Sequence, residues 1–323
     1  MHLKAIHGYF IGGELRRLET FPDRLISLAT NEAPALSSAN GDYVLGQIYV
    51  QHYQPCAPRY ESPLLLWHGG GLTGACWENP PGGGQGWLSD LLCRNVEVIV
   101  SDAYERGRSG QPPYPQVLAD PPLFRPLDDV WHSFRFGNAH DYPGAHDAAL
   151  LRRKSHSGLQ FPIEHLAEFG KQMVARWSTT DEQTFKAYQC LIEKTGPCMI
   201  LAHSQGGYFA LKAALQSRGI NAVIALEPSG VPDEPPSTGR DIASHLFIWG
   251  DYIAGRDGPW ARRRERAWNY AQKLTLLGVE VCWIDLPDIG ISGNSHMLMM
   301  DSNRTLLLNL IMEWIDQHKQ PIH

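Results

Sequence analysis

The sequence contains no apolar run approaching the roughly 18 residues that a transmembrane helix requires, so no membrane span is expected. Its first residues, Met1 to Gly8, also lack the apolar core of a secretory signal peptide. The formal net charge is only −6, and so modest an excess argues against nucleic acid as the main partner. We therefore expect a cytoplasmic protein that acts on a small molecule, with neither a membrane nor a nucleic acid as its target.

Cysteines are few and scattered along the chain. The six cysteines form no C-x-x-C pair and show no zinc-type spacing. This pattern is typical of reduced thiols in a cytosolic protein, although the even count leaves disulfides open if a leader has been removed. The histidines and aspartates between positions 132 and 147 match no strong ligand motif either. We expect neither a metal nor a cofactor.

The 323 residues, 43% of them hydrophobic, are enough for one large domain with insertions or for two small domains. Strand-like apolar runs alternate with helical patterns, which is typical of a largely parallel sheet with helices on both faces. A closing helix is predicted from about Asn303 to Gln317, with Asp301 or Ser302 as its cap. The second predicted strand is expected to run antiparallel, and the eight strands span residues 9–13, 43–50, 64–67, 96–100, 199–201, 222–226, 246–249 and 279–284.

The region from Gln111 to Lys154 breaks this alternation and is rich in proline, aromatic residues and histidine. A structureless stretch of that length inside a compact domain is usually a functional lid or binding loop. Helical patterns follow it, so we assign residues 111–195 to an inserted cap and residues 1–110 and 196–323 to the core. Large aromatic side chains either line an apolar pocket or fill a small core. The candidates for substrate binding are Trp77, Trp131, Phe134, Phe136 and Tyr142.

The most informative pattern lies between Cys198 and Tyr208, where a short apolar run ends at Ser204 and a helical pattern follows at once. A strand–turn–helix of this kind holds the serine at its apex in strained backbone geometry. It needs small neighbours because the strand and helix backbones nearly touch. The segment Ala202-His203-Ser204-Gln205-Gly206 matches the G-x-S-x-G pattern with alanine in the first small position. Ser204 is therefore the candidate nucleophile.

A serine hydroxyl is a weak nucleophile at neutral pH, so it needs a base, and the base needs an acid that fixes its tautomer. His296 lies on a Gly/Ser/Asn loop between the last predicted strand and the closing helix and is the candidate base. Glu227 directly follows a buried strand and is the favoured acid, because a charge in that position requires a partner. The alternatives are Asp251 and then Asp257, which follow the next strand.

Acyl transfer also needs hydrogen-bond donors for the negative charge that develops on the carbonyl oxygen. The backbone N–H of Gln205, directly after the nucleophile, is the first candidate. Gly70 or Gly71, in the run His68-Gly69-Gly70-Gly71, is the second, because glycine leaves its amide unobstructed. A phosphate-binding loop would require a following Lys-Ser/Thr, which is absent. A plain glycine turn is the remaining alternative.

Together these segments resemble the α/β-hydrolase superfamily over nearly the whole chain. The matching pieces are Leu66-Trp67-His68-Gly69-Gly70-Gly71, Ser101-Asp102 with Arg106-Gly107-Arg108-Ser109-Gly110, Ala202 to Gly207, Ala225-Leu226-Glu227-Pro228 and Ser295-His296. The chain is most similar to a bacterial esterase subgroup whose acid is a Glu after the sixth strand, which supports Glu227. The resemblance implies an α/β-hydrolase fold, with an eight-stranded, mostly parallel sheet and an inserted cap. It also implies a carboxylic ester hydrolase that works through an acyl-enzyme.

The same fold supports other chemistries, so cleavage of lactones, amides or C–C bonds by the same residues stays open. Ser204 speaks against the branches that use an aspartate nucleophile. A non-catalytic ligand-binding homologue is the alternative from another class, and the complete Ser, Glu and His set argues against it. The expected partner is a small-molecule ester or a related acyl compound, and assembly into a homodimer is left open.

Overall fold

The computed structural model describes residues 1–233, 242–253 and 258–318. Within these ranges the strands are β1 (Leu3–Leu18), β2 (Arg24–Ile26), β3 (Ala35–Ser37), β4 (Gly41–Pro55), β5 (Leu64–Trp67), β6 (Val98–Asp102), β7 (Cys198–His203), β8 (Ile220–Leu226), β9 (Ser244–Trp249) and β10 (Val281–Asp285). Eight of them form one sheet in the order β1-β4-β6-β5-β7-β8-β9-β10, while β2 and β3 form a separate hairpin. Strands β5 to β10 run parallel, and β4 pairs antiparallel with both β1 and β6. The predicted eight-stranded, mostly parallel sheet is confirmed.

Helices cover both faces of the sheet. They are α1 (Trp87–Cys93), α2 (Leu127–Ser133), α3 (Ala148–Lys154), α4 (Leu166–Gly170), α5 (Asp181–Thr195), α6 (Gln205–Gln216), α7 (Pro259–Leu276) and α8 (Arg304–His318). Successive strand residues point to opposite faces: in β5, Leu64 and Leu66 pack with α1 and α8, whereas Leu65 and Trp67 pack with α5, α6 and α7. Because both faces are covered, the central strands are continuously apolar.

The first strand is longer than the sequence predicts. The first strand was expected over residues 9–13, but β1 pairs with β4 from Leu3 to Leu18. Gly12 and Gly13 have positive φ, 72° and 89°, a conformation that glycine adopts at little cost. The pairing with β4 therefore continues past them, and the two strands form a long antiparallel edge.

The insert between β6 and β7 is not structureless, since it contains α2, α3 and α4. Its buried rings, among them Trp131, Phe136 and Phe169, join the hydrophobic core on the α1 and α8 face. Helix α5, predicted as part of the cap, instead belongs to the sheet: Tyr188 stacks on Trp67 of β5, with 3.9 Å between ring centroids. Helix α5 therefore packs with the sheet layers, while the boundaries of the insert at 111 and 195 stay a prediction.

The closing helix α8 begins one residue later than predicted, at Arg304. The two side chains expected to cap it bind elsewhere. The Ser302 hydroxyl contacts the Gln160 side-chain oxygen at 2.5 Å, and the Asp301 carboxylate accepts hydrogen bonds from Asn294 and Ser295. Both residues therefore fasten neighbouring loops to the start of the helix.

Candidate active site

Ser204 lies between the end of β7 and the start of α6. Its φ of 53° and ψ of −113° are strained for a residue with a side chain. Its N–H donates to the carbonyl of Leu226 at 3.0 Å, which ties the turn to β8. A Cβ on Gly206 would lie 2.6 Å from the Trp67 carbonyl oxygen, so only glycine fits where the helix crosses β5. These contacts produce the strained turn that the sequence pattern predicts.

His296 and Glu227 meet in the interior, where both are buried, and the His296 Nδ1 lies 2.5 Å from the Glu227 Oε2. The backbone N–H of His296 donates to the Phe134 carbonyl at 3.1 Å, and its carbonyl accepts from His203 Nε2 at 2.9 Å. The ring of Trp260 covers the imidazole at 4.0 Å between centroids. With the Nδ1 proton directed to Glu227, Nε2 is left as a proton acceptor.

Asp251, the alternative acid, has other partners. Its Oδ2 accepts from the Gly293 N–H at 2.9 Å, and its own N–H donates to the Asn294 carbonyl at 2.8 Å. It therefore fastens the loop that carries His296 and makes no hydrogen bond to the imidazole. Asp257 lies outside the described residues.

Arg135, which follows α2 in the insert, was not identified from the sequence. Its guanidinium bonds both carboxylate oxygens of Glu227, at 2.9 Å from Nη1 to Oε2 and through a short contact from Nη2 to Oε1. The Gly250 N–H donates to Oε1 at 2.8 Å, and Arg135 Nε donates to the Asp251 carbonyl. Burial opposes ionisation, but the Arg135 charge and the hydrogen bonds lower the pKa of Glu227 to about 2. The carboxylate is therefore ionised.

Burial has the opposite consequence for the base. It lowers the pKa of His296 to about 4, although the Glu227 carboxylate partly opposes this shift. Burial also lowers the pKa of His203 well below its usual value. Both imidazoles are neutral at neutral pH, as a general base must be before it takes a proton.

A second buried carboxylate holds the loop that carries His296. Asp301 Oδ2 accepts from the Ser295 N–H at 2.9 Å and from Asn294 Nδ2 at 2.8 Å, and Oδ1 accepts from the Ser295 hydroxyl at 2.7 Å. Burial raises the pKa of Asp301 to about 7 despite these donors. The sequence indicated this residue only as a helix cap, and nothing in its pattern indicated a role beside the base.

The predicted oxyanion donors are Gln205 and one of the two glycines, Gly70 or Gly71. Gly70 and Gln205 line the same cavity as the serine, whereas Gly71 is not among the lining residues. The Gly71 carbonyl accepts from the Val174 N–H, which anchors the glycine run to the insert. Gln205 is the first residue of α6, and the positive end of a helix dipole favours negative charge at that point. Of the two glycines proposed, the geometry favours Gly70.

The cavity at Ser204 has a volume of about 560 Å³. Of the five aromatic residues predicted to bind substrate, Phe134 lines it. Trp77, Trp131 and Phe136 are completely buried in the core, and Tyr142 packs on Trp131 with 5.7 Å between ring centroids. The prediction of an aromatic pocket thus does not match the positions of these four rings, because the insert uses them to fill its own interior.

In the described parts of the chain, no group of three or more His, Cys, Asp or Glu is arranged to hold a metal ion. The helices described there include none that is long and apolar enough to cross a membrane. All six cysteines are free thiols.

No protein-family model matches the chain. A fungal protein (Fungal sp.) described as "Probable secreted lipase phiG" is 25% identical, covering 90% of this chain and 91% of its own length. A solved structure described as a novel bacterial esterase is 28% identical, with a TM-score of 0.79 over 98% of this chain and 96% of that chain. A thermophilic esterase from Thermogutta terrifontis is more distant, with 13% identity and a TM-score of 0.43 over 94% of this chain and 100% of that chain. The full-length likeness to the bacterial esterase, together with the strand order and the serine turn, shows that the chain is a hydrolase with the α/β-hydrolase fold.

Proposed function

We propose that this hydrolase cleaves carboxylic esters through an acyl-enzyme, with Ser204 as nucleophile, His296 as base and Glu227 as the acid that orients it. The observation that carries the proposal is the buried Glu227–His296 hydrogen bond beside a serine in strained turn geometry. The bacterial esterase and fungal lipase relatives support ester cleavage over the other chemistries of the fold.

In the first half of the reaction, Ser204 Oγ attacks the ester carbonyl and passes its proton to His296 Nε2. Negative charge develops on the carbonyl oxygen, within reach of the backbone N–H groups of Gly70 and Gln205. The C–O bond to the alcohol breaks, the alcohol leaves with the proton from His296, and the acyl group stays on Ser204. Glu227 stabilises the imidazolium while it carries the proton.

In the second half, water takes the place of the alcohol. His296 accepts a proton from water as the oxygen attacks the acyl carbonyl, and then returns a proton to Ser204 Oγ as the acid product leaves. Arg135 supports both halves, because it keeps Glu227 ionised and therefore keeps the Nδ1 proton directed to the carboxylate.

The test uses Ser204→Ala, with Ser229→Ala as a matched control at a second serine of the same cavity. We expect hydrolysis of methyl hexanoate, followed by pH-stat titration, to fall on the order of 10³-fold or more in Ser204→Ala. The control should stay within about tenfold of the parent enzyme. A fluorophosphonate should label the parent enzyme on the Ser204 peptide and leave Ser204→Ala unlabelled.

Retained activity in a folded Ser204→Ala protein would place the nucleophile elsewhere. Complete inertness of the parent enzyme to both the ester and the fluorophosphonate would instead favour a non-catalytic binding protein. A matched lactone and amide beside the methyl ester distinguish ester hydrolysis from the related reactions.

The cellular location is open to a separate test. The unpaired cysteines support the cytoplasmic location expected from the sequence, whereas the fungal relative is described as secreted. Fractionation of the native host into medium and cell extract decides between the two, and recovery in the medium would overturn the cytoplasmic expectation.

A further inference from the structure

The cavity at Ser204 carries more positive charge than ester cleavage requires. Its lining includes one carboxylate, Asp181, which accepts a hydrogen bond from the Gln205 side chain at 2.8 Å. An ordinary ester group carries no net charge. The proposed reaction steps use none of the arginines that line the cavity. The arginines that line the cavity are Arg125, Arg176 and Arg263.

The three arginines differ in their partners. Arg125 is paired, because its Nε lies 2.7 Å from Asp129 Oδ2 and its Nη2 lies 2.6 Å from the Ser133 hydroxyl. For Arg176 and Arg263, the described parts of the chain place no carboxylate oxygen within 4.0 Å of a guanidinium nitrogen. Neither arginine therefore forms a close ion pair with a described residue, and Arg176 interacts with the Asp181 and Glu105 carboxylates only at longer range.

Arg176 and Arg263 lie beside different parts of the reacting centre. A Cβ on Gly70 would lie 3.4 Å from the Arg176 Cζ, so this guanidinium stands beside the proposed oxyanion donor. The Arg263 guanidinium lies 4.5 Å from the ring centroid of Trp260, which in turn covers His296. A substrate at Ser204 thus has a cation on the oxyanion side and another on the side of the base.

The surroundings of Arg176 and Arg263 disfavour the charged form of both guanidinium groups. Burial and the neighbouring charges of Arg106 and Arg125 lower the pKa of Arg176, although the Asp181 and Glu105 carboxylates partly oppose this shift. Burial and the charge of Arg125 likewise lower the pKa of Arg263. A half-buried cation with like charges near it is stabilised by a bound anion, and the guanidinium fork fits the paired oxygens of a carboxylate or phosphate.

We propose that the preferred substrate is an ester that carries an oxyanionic group, carboxylate or phosphate, which Arg176 and Arg263 bind while Ser204 attacks. This rests on the proposed ester hydrolysis and adds the class of substrate. Arg176 and Arg263 are binding residues here and take no part in the proton transfers.

The first experiment compares methyl esters of similar length on the parent enzyme by pH-stat titration. The neutral compound is methyl hexanoate, and the anionic ones are monomethyl adipate and the methyl ester of ω-phosphonooxyhexanoic acid. We expect kcat/KM to be at least about tenfold higher for one or both anionic esters. The better of the two identifies carboxylate or phosphate as the recognised group. A second pair, ω-acetoxyhexanoate and hexyl acetate, tests a charge on the alcohol side.

The second experiment assigns the preference to residues. Arg176→Gln and Arg263→Gln are each expected to lower the anionic-to-neutral ratio of kcat/KM by on the order of 10- to 100-fold. Arg266→Gln, at an exposed position on the same helix as Arg263, is the matched control and should leave the ratio unchanged. Arg176→Lys and Arg263→Lys keep the charge without the fork and should restore part of the ratio.

A third experiment measures competitive inhibition of the parent enzyme. It needs no variant, so it tests the proposal even if a substitution prevents folding. Adipate should inhibit hydrolysis of methyl hexanoate competitively and more strongly than hexanol, and sodium chloride should weaken this inhibition. Equal kcat/KM for neutral and anionic esters, or no inhibition by adipate, would overturn the charge proposal and leave ester hydrolysis standing. An anionic preference that survives both glutamine variants would overturn the assignment to these arginines. No hydrolysis of any ester would instead count against the proposed function.

Discussion

The sheet and the insert contribute to the site in different ways. The sheet supplies the proposed reacting groups, because Ser204 and Glu227 directly follow β7 and β8, and His296 lies on the loop after β10. The insert supplies contacts to those groups, since the Phe134 carbonyl accepts the His296 N–H and Arg135 bonds the Glu227 carboxylate. The sheet thus positions the proposed reacting groups, and contacts from the insert hold those groups in place.

This difference predicts that the sheet and the insert tolerate substitution differently. Side chains at the carboxyl ends of parallel strands converge wherever the strand order brings neighbouring strands together. A contact from the insert depends instead on how its short helices pack on the sheet. We therefore expect substitutions at strand ends to remove activity, and substitutions in the insert to reduce activity and stability together.

The largest expected effect on activity is the difference between substitutions at the two candidate acids, Glu227 and Asp251. Glu227→Gln should lower kcat/KM by at least about 100-fold, because the amide no longer fixes the His296 tautomer or balances the imidazolium. Asp251→Asn should cost much less, since Asp251 only fastens the loop. Kinetics on methyl hexanoate, with circular dichroism to confirm folding, make the comparison. A more damaging Asp251→Asn would move the acid to the end of β9.

The next effect tests the insert. Arg135→Gln leaves Glu227 buried without its cation, and breaking a buried ion pair typically costs about 3–5 kcal/mol of unfolding free energy. We expect kcat/KM to fall on the order of 10- to 100-fold as well, because the carboxylate loses two hydrogen bonds.

The matched control is Arg152→Gln, which removes an exposed ion pair with Glu164 in the same insert and should cost less than about 1 kcal/mol. Urea unfolding and initial rates report both quantities. An Arg135 variant that unfolds and reacts like the control would show that the insert does not hold the acid.

Much of the sheet side was predictable from the sequence. The serine turn, the loop histidine and the strand-end glutamate each have a local pattern, and the structure brings Glu227 and His296 within hydrogen-bond distance. The packing of α5 on the sheet was not predicted, because Phe185 and Tyr188 form the same apolar pattern in a cap helix as in a core helix. Periodicity indicates that a helix has a buried face, and it does not identify the surface against which that face packs.

The contacts that the insert makes with the site could not be predicted from the sequence, and the reason is physical. Arg135 and Glu227 are 92 residues apart, and their pairing exists only once folding brings the segment after α2 to the end of β8. Asp301 looks like a helix cap because its position next to α8 favours that role, yet its carboxylate turns to Ser295 and Asn294. Among aromatic residues, composition alone does not separate the ring that faces the cavity, Phe134, from the rings that fill the interior.

A smaller effect distinguishes those rings. Phe134→Ala enlarges the cavity beside His296 and should change the ratio of kcat/KM between short and long acyl esters by about 1–2 kcal/mol, roughly tenfold. Phe136→Ala should lower the unfolding free energy by about 3–5 kcal/mol and leave the ratio unchanged, because that ring is in the core. A chain-length series and a melting curve for each variant give both results. A shifted ratio in Phe136→Ala alone would place the acyl chain inside the insert.

The smallest effect is a shift in pH dependence, and its sign follows from burial. His296 must be neutral to accept the serine proton, so kcat/KM should rise with pH through the pKa of the imidazole. Burial lowers that pKa to about 4, while Glu227 stays ionised across the range, so the acid limb of the parent enzyme should lie below the usual 6.5. The Phe134 ring, 5.0 Å from the imidazole, is the part of the insert that keeps water away on one side.

Phe134→Ala should therefore raise the pKa of His296 toward its usual value and move the acid limb upward by a fraction of a unit to about one unit. The variant would lose activity at mildly acidic pH and keep more of it at neutral pH. Phe136→Ala, whose ring does not touch His296, should leave the limb in place. Profiles of kcat/KM from about pH 4 to about pH 8 decide the matter. If the acid limb of the parent enzyme lies at or above pH 6.5, the insert does not exclude water from His296. The proposal that the sheet supplies the reacting groups and the insert shields them would then be wrong.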